Sequence, residues 1–166
     1  MKPLAFTLKA FPAVTVLTIG LCYLTQLVSE RFGVKLPDQE NIELMRKYAG
    51  LNLTFIILCA QVLFIMPAIE ECIFRWLLYR LPCKILAHWH RGGVGAECTA
   101  AVAGSALFSA AHYLFQPFPD TAFIALFFFG LAQCWLYRRT GSLWCCLLNH
   151  ALFNLANLTL LFVIPQ

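Results

Sequence analysis

Met66-Pro67-Ala68-Ile69-Glu70-Glu71-Cys72-Ile73-Phe74-Arg75 places three ionisable groups in a stretch that otherwise dissolves in lipid. The seventeen residues from Leu53 to Ile69 carry no formal charge, and Trp76-Leu77-Leu78-Tyr79 return to apolar and aromatic side chains. A charge near the bilayer centre costs about 2.5–3.5 kcal/mol on insertion scales, so such groups face a bundle interior or a wet cavity and mark functional sites. Helical spacing separates their roles. Glu71 and Arg75 are i and i+4, share a face and can pair. Glu70 lies about 100° further round, with Met66 and Phe74 as its same-face neighbours, so nothing close in sequence neutralises it. One carboxylate is matched to a guanidinium and the other is left for chemistry. A buried ion-pair network that only fixes helix packing is the competing explanation.

Composition agrees with a membrane setting. The 166 residues are 61% hydrophobic and 12% charged, against about 45–50% and 25% in soluble domains. The length suits a single integral domain, residues 1–166, with a motif-bearing core at about 53–164. The net charge of +4 is spread between apolar runs, a pattern of topology determinants; no basic stripe tracks a phosphate backbone, so nucleic acid is not an expected partner. Nothing in the sequence sets an oligomeric state. Cys22, Cys59, Cys134, Cys145 and Cys146 lie within apolar runs and no CxxC pair occurs, so most of the cysteines read as small buried hydrophobes.

Working outward, the apolar runs predict an all-α fold, a polytopic bundle of about five transmembrane helices. The first is Phe11 to Val28, with Pro12 near its start, where a helix tolerates proline. Ser29 to Gly50 is polar and predicts a short interfacial helix capped by Asp38. The second span, about Leu53 to Leu81, would be roughly 43 Å long, more than the ~30 Å hydrocarbon core. Pro67 removes the bond to the Leu63 carbonyl and predicts a kink one turn before Glu70. Pro82 is expected to limit the helix, with Lys84, His88, His90 and Arg91 in a following loop. The third span, about Cys98 to Phe115, is rich in Ala and Gly, which favours close packing in lipid. The fourth, Thr121 to Tyr137, is uncharged and rich in Phe, and reads as lipid-facing. The fifth, Ser142 to Ile164, carries His150 and Asn154. Basic residues divide seven to four between the two sides, which places the N-terminus in the cytoplasm and the C-terminus outside a cell membrane.

Depth arithmetic tests whether the polar residues meet. Counted from the cytoplasmic ends, Glu70 lies roughly 16 Å in, His112 roughly 21 Å, His150 about 12 Å and Asn154 about 18 Å. Three helices thus bring a carboxylate, two imidazoles and an amide to the middle of the core. His150 and Asn154 are i, i+4 and point the same way, and Phe108 sits beside His112 at the same spacing. A glutamate and an imidazole within reach of each other suit proton transfer. Amide and imidazole donors on one face suit an oxyanion.

Glu70-Glu71-x-x-x-Arg75, Phe108-x-x-x-His112 and His150-x-x-x-Asn154, in order on successive apolar helices, resemble the three motifs of the CPBP (Abi) intramembrane proteases, which include the type II CAAX prenyl endopeptidases. The resemblance runs from about Leu63 to Leu158. It implies that Glu70 and His112 activate water, that His150 and Asn154 stabilise the oxyanion, and that Glu71, Arg75 and Phe108 support the site. The implied substrate is a membrane-anchored protein or peptide in the lipid bilayer, and no cofactor is required. Trp76 stands where the family often has Gly. Two other functions fit the same residues. A zinc peptidase would use Glu70, His112 and His150 as ligands, although no HExxH supports it. A non-catalytic scaffold or bacteriocin-immunity protein would keep the fold alone.

Overall fold

The computed structural model describes residues 2–33, 40–50, 52–88, 93–115 and 122–163. Among these residues there are six helices and no strand: α1 (Pro3–Arg31), α2 (Glu40–Lys47), α3 (Leu53–His88), α4 (Val94–Phe115), α5 (Ala122–Thr140) and α6 (Leu143–Val163). Four of them, α1, α3, α4 and α6, are long and apolar enough to cross a membrane. The expected all-α polytopic bundle is therefore the observed architecture. Buried Val14, Phe74, Phe108, Leu126, Phe129 and Phe153 form its main core, one or two from each long helix.

Ring contacts fix which helix ends lie together. Phe6 of α1 meets Trp135 of α5 at 5.1 Å, Tyr79 of α3 meets Tyr137 of α5 at 6.1 Å, and Arg138 pairs with Glu97 at the start of α4 at 3.0 Å. Phe55 at the start of α3 meets Phe162 near the end of α6 at 5.9 Å. Successive long helices thus run antiparallel, and α5 passes through the same layer as the four apolar helices. The tight link from α5 to α6 follows from Gly141, whose φ of 65° lets its N–H reach the Tyr137 carbonyl at 2.7 Å.

The expectation that the Thr121–Tyr137 segment faces lipid is overturned. Ala125, Phe129, Gln133, Cys134 and Leu136 of α5 are buried, because α1 and α4 pack along it. An uncharged, Phe-rich helix satisfies a protein interior as well as it satisfies lipid, so the pattern could not separate them. Gly130 permits the close approach: a Cβ there would stand 2.9 Å from the Ser105 Cβ and 3.1 Å from its Cα. The small residues of α4 thus meet their purpose at Ser105, and Ser109 Oγ donates across the same seam to the Phe123 carbonyl at 2.6 Å.

Two boundaries differ from the sequence expectation. Helix α1 begins at Pro3, so Pro12 lies inside it; a helix start need not coincide with the start of an apolar run. Helix α3 continues through Pro82 to His88, taking Lys84 and His88 into its last turns. Its two prolines share a device. Wide turns with i→i+5 bonding occupy Gln61–Ile65, just before Pro67, and Cys72–Arg80, just before Pro82. Widening the turn relieves the clash between a proline ring and the carbonyl four residues earlier, so the helix continues without breaking. Asn52 caps the start of α3, its Oδ1 accepting from the Phe55 N–H at 2.9 Å. The proposed Asp38 cap, His90, Arg91 and Ile164 lie outside the described residues.

Candidate active site

Helix α3 delivers both glutamates to the bundle centre, and the wide turns set where they point. Glu71 is 2% exposed and Arg75 fully buried, with Arg75 Nε 3.1 Å from Glu71 Oε2, the i, i+4 pair expected from the sequence. The contact is an ion pair without aligned hydrogen-bond geometry. The guanidinium carbon lies 4.9 Å from the centre of the Phe108 ring, so an aromatic face covers part of the charge.

Glu70 faces the other way, toward both imidazoles. Its Oε1 is 3.8 Å from His112 Nε2 and its Oε2 is 3.6 Å from His150 Nε2. The structure therefore brings together Glu70, His112 and His150 from α3, α4 and α6. Each ring is held from behind. His112 Nδ1 lies 2.9 Å from the Phe108 carbonyl oxygen, which can only accept, so Nδ1 carries the hydrogen. The edge turned toward Glu70 is then Nε2. His150 Nδ1 donates to Glu71 Oε1 at 2.8 Å, which leaves its Nε2 as the edge turned to Glu70. Phe108, wholly buried, packs against His112 at 4.5 Å and against His150 at 6.1 Å between ring centroids. Separations of 3.6–3.8 Å are too long for direct hydrogen bonds and are of the kind a water molecule bridges.

Asn154 shares the His150 face but spends one N–H on α3: Nδ2 donates to the Val62 carbonyl at 2.8 Å. The Leu63 carbonyl was the one expected to be freed by Pro67. In the wide turn the Met66 N–H bonds to the Gln61 carbonyl instead. The next acceptor in that register is Val62, and its donor would be the missing N–H of Pro67. Asn154 fills that gap from a neighbouring helix. Trp76, at the position where the resembling family often has Gly, is half-exposed.

Two buried residues were not singled out in the sequence. Gln133 of α5 donates to Glu71 Oε1 at 3.4 Å and to the Cys146 carbonyl at 3.1 Å. Asn149 of α6 donates to Gln133 Oε1 at 3.2 Å. The signal was a glutamine in mid-span and an amide beside His150. Among the described residues, no three His, Cys, Asp or Glu side chains are gathered as a metal-ligand set. All eight cysteines are free thiols.

A family model described as type II CAAX prenyl endopeptidase Rce1-like matches residues 52–156. The chain belongs to this family. The Rce1-like segment begins at the Asn52 cap and ends beyond Asn154, so it contains every residue of the constellation and leaves α1 and α2 outside. No curated protein and no solved structure shows a significant similarity to the chain. As an Rce1-like protein with several apolar helices, it is a multi-pass membrane protein of a protease family.

Proposed function

We propose that the chain is an intramembrane endopeptidase that hydrolyses a peptide bond of a membrane-anchored protein or peptide. The observation that carries this reading is the Glu70 carboxylate standing between two imidazole Nε2 atoms at 3.6 and 3.8 Å. In the proposed reaction a water bound between Glu70 and His112 gives up a proton as it attacks the scissile carbonyl. The oxyanion accepts from His150 Nε2–H, which the ring offers when it carries both protons, and from the second N–H of Asn154. The proton taken from water then passes to the leaving amine. Glu71 holds His150 in place by accepting from Nδ1–H, and Arg75 balances the Glu71 charge.

The family description makes a prenylated CAAX peptide the first probe to try. The native substrate is found by comparing membrane peptides from cells carrying wild-type or Glu70→Gln protein. New termini present only with the wild type support the enzyme and name its substrate; identical peptide sets favour the scaffold function.

Asn154→Ala is expected to lower kcat by roughly 10²–10³-fold, the scale of one oxyanion donor. It should also destabilise the fold by about 1 kcal/mol by leaving the part-buried Val62 carbonyl without its side-chain donor. A wild-type kcat in a destabilised variant would assign Asn154 to the helix tie alone.

Catalysis is proposed to need no metal, because an amide makes a poor zinc ligand and Arg75 next to Glu71 repels a divalent cation. Purified protein should stay active after strong chelation. Activity lost on chelation and restored by zinc would promote the metallopeptidase, with Glu70, His112 and His150 as ligands.

For topology we propose a cytoplasmic N-terminus and an external C-terminus. The ring contacts above put the basic ends of α1, α3 and α5 on one face, which supports the seven-to-four asymmetry. Single cysteines placed at Gln39 and Gly93 should label from opposite sides of the membrane. Labelling of both from one side would refute the arrangement.

A further inference from the structure

Gln133 is wholly buried in α5, a helix that contributes no charged group to the centre of the bundle. Its amide is oriented from both ends. Oε1 accepts from Asn149 Nδ2 at 3.2 Å, which leaves Nε2 to donate to Glu71 Oε1 at 3.4 Å and to the Cys146 carbonyl at 3.1 Å. Glu71 Oε1 is also the atom that accepts from His150 Nδ1 at 2.8 Å. Asn149 and His150 are neighbours in α6. The bonds therefore close a ring that runs from α6 through Gln133 of α5 to Glu71 of α3 and back to α6. Gly130, one turn earlier in α5, packs tightly against Ser105 of α4.

We infer that Gln133, oriented by Asn149, is a positioning residue that fixes the Glu71 carboxylate and, through it, the ring orientation of His150. The inference rests on the assignment of Glu70 and His150 to the catalytic centre. Glu71 turns one oxygen to each of two partners, Oε2 to Arg75 at 3.1 Å and Oε1 to His150 Nδ1 at 2.8 Å. A donor on Oε1 from a third helix holds the carboxylate in the plane in which it meets Nδ1 and His150 Nε2 faces Glu70. Without that donor the carboxylate is freer to twist, and the imidazole loses its fixed orientation.

The test uses the full chain in detergent, with ¹⁵N-labelled histidine and Gln133→Met, which keeps the side-chain length and removes both polar ends. The His150 signals are assigned by their loss in His150→Asn. In Gln133→Met the Nδ1–H proton signal of His150 should move upfield and broaden. Turnover of a prenylated CAAX reporter peptide should fall about tenfold in kcat, the equivalent of about 1.4 kcal/mol, with KM unchanged. A purely structural role would lower the amount of folded protein and leave both the signal and kcat of the folded fraction as in the wild type, and that result would overturn the inference. If Gln133→Met does not accumulate, Asn149→Ala is read in the same way, since it frees the amide to turn while keeping Gln133; an unchanged His150 signal there also overturns it. Glu70→Gln is run alongside. It should keep the His150 Nδ1–H signal and lose turnover. Wild-type turnover in Glu70→Gln would remove the catalytic assignment, while the Gln133→Met spectrum still decides the positioning.

Discussion

A Glu70→Gln protein is expected to reach the membrane at the wild-type level and to cut its substrate about 10²–10⁴-fold more slowly, the range contributed by a positioned acid–base group. The argument is one of partners. Glu70 makes no ion pair with Arg75, and its oxygens face two imidazole edges at 3.6 and 3.8 Å. Glutamine keeps the shape and can face the same imidazole edges, so packing survives, but the amide cannot take a proton from water. Membrane fractionation gives the protein level, and peptide release from a prenylated reporter gives the rate. Full activity in this variant would remove Glu70 from the chemistry and, with it, the proposed function.

Glu71→Gln should behave differently, because its main loss is structural. Arg75 is fully buried and has Glu71 as its ion-pair partner. Removing one member of a buried pair typically costs about 3–5 kcal/mol, since the remaining charge is left uncompensated. A clear fall in the midpoint of thermal unfolding in detergent is expected, together with slower turnover. Replacing both residues, as Glu71→Gln with Arg75→Met, takes the stranded charge away. That double variant should regain most of the lost stability and stay slow, because a neutral amide holds His150 less firmly than a carboxylate does. A double variant no more stable than Glu71→Gln alone would show that the ion pair is not what the site rests on.

The two glutamates were separable in the sequence because helical geometry needs only local spacing: Arg75 four residues from Glu71, nothing opposite Glu70. His112, His150 and Asn154 were legible for a related reason, as polar side chains in apolar runs at matching depth. Gln133 has the same character and was passed over because the span from Thr121 to Tyr137 carries no charge and many phenylalanines. Burial of α5 is set by what packs against it, and no local pattern records that. The prolines mark another limit. Proline predicts a disturbed helix, yet whether the chain stops, as expected at Pro82, or widens a turn and continues depends on the neighbouring helices that hold the freed carbonyls. Val62 shows this most plainly, since its partner Asn154 lies ninety-two residues away.

The pairing of Glu71 with Arg75 also bears on how the protein is made. A membrane protein enters the bilayer in chain order, and α3 arrives before α4, α5 and α6 exist. His150, the closest partner of Glu71 in the finished site, lies seventy-nine residues downstream, and Gln133 lies sixty-two. At that stage the only neutralising group is the one carried on the same helix. An arginine one turn away lets the carboxylate enter lipid as half of a pair, and synthesis of the later helices then supplies the ring that puts it to use.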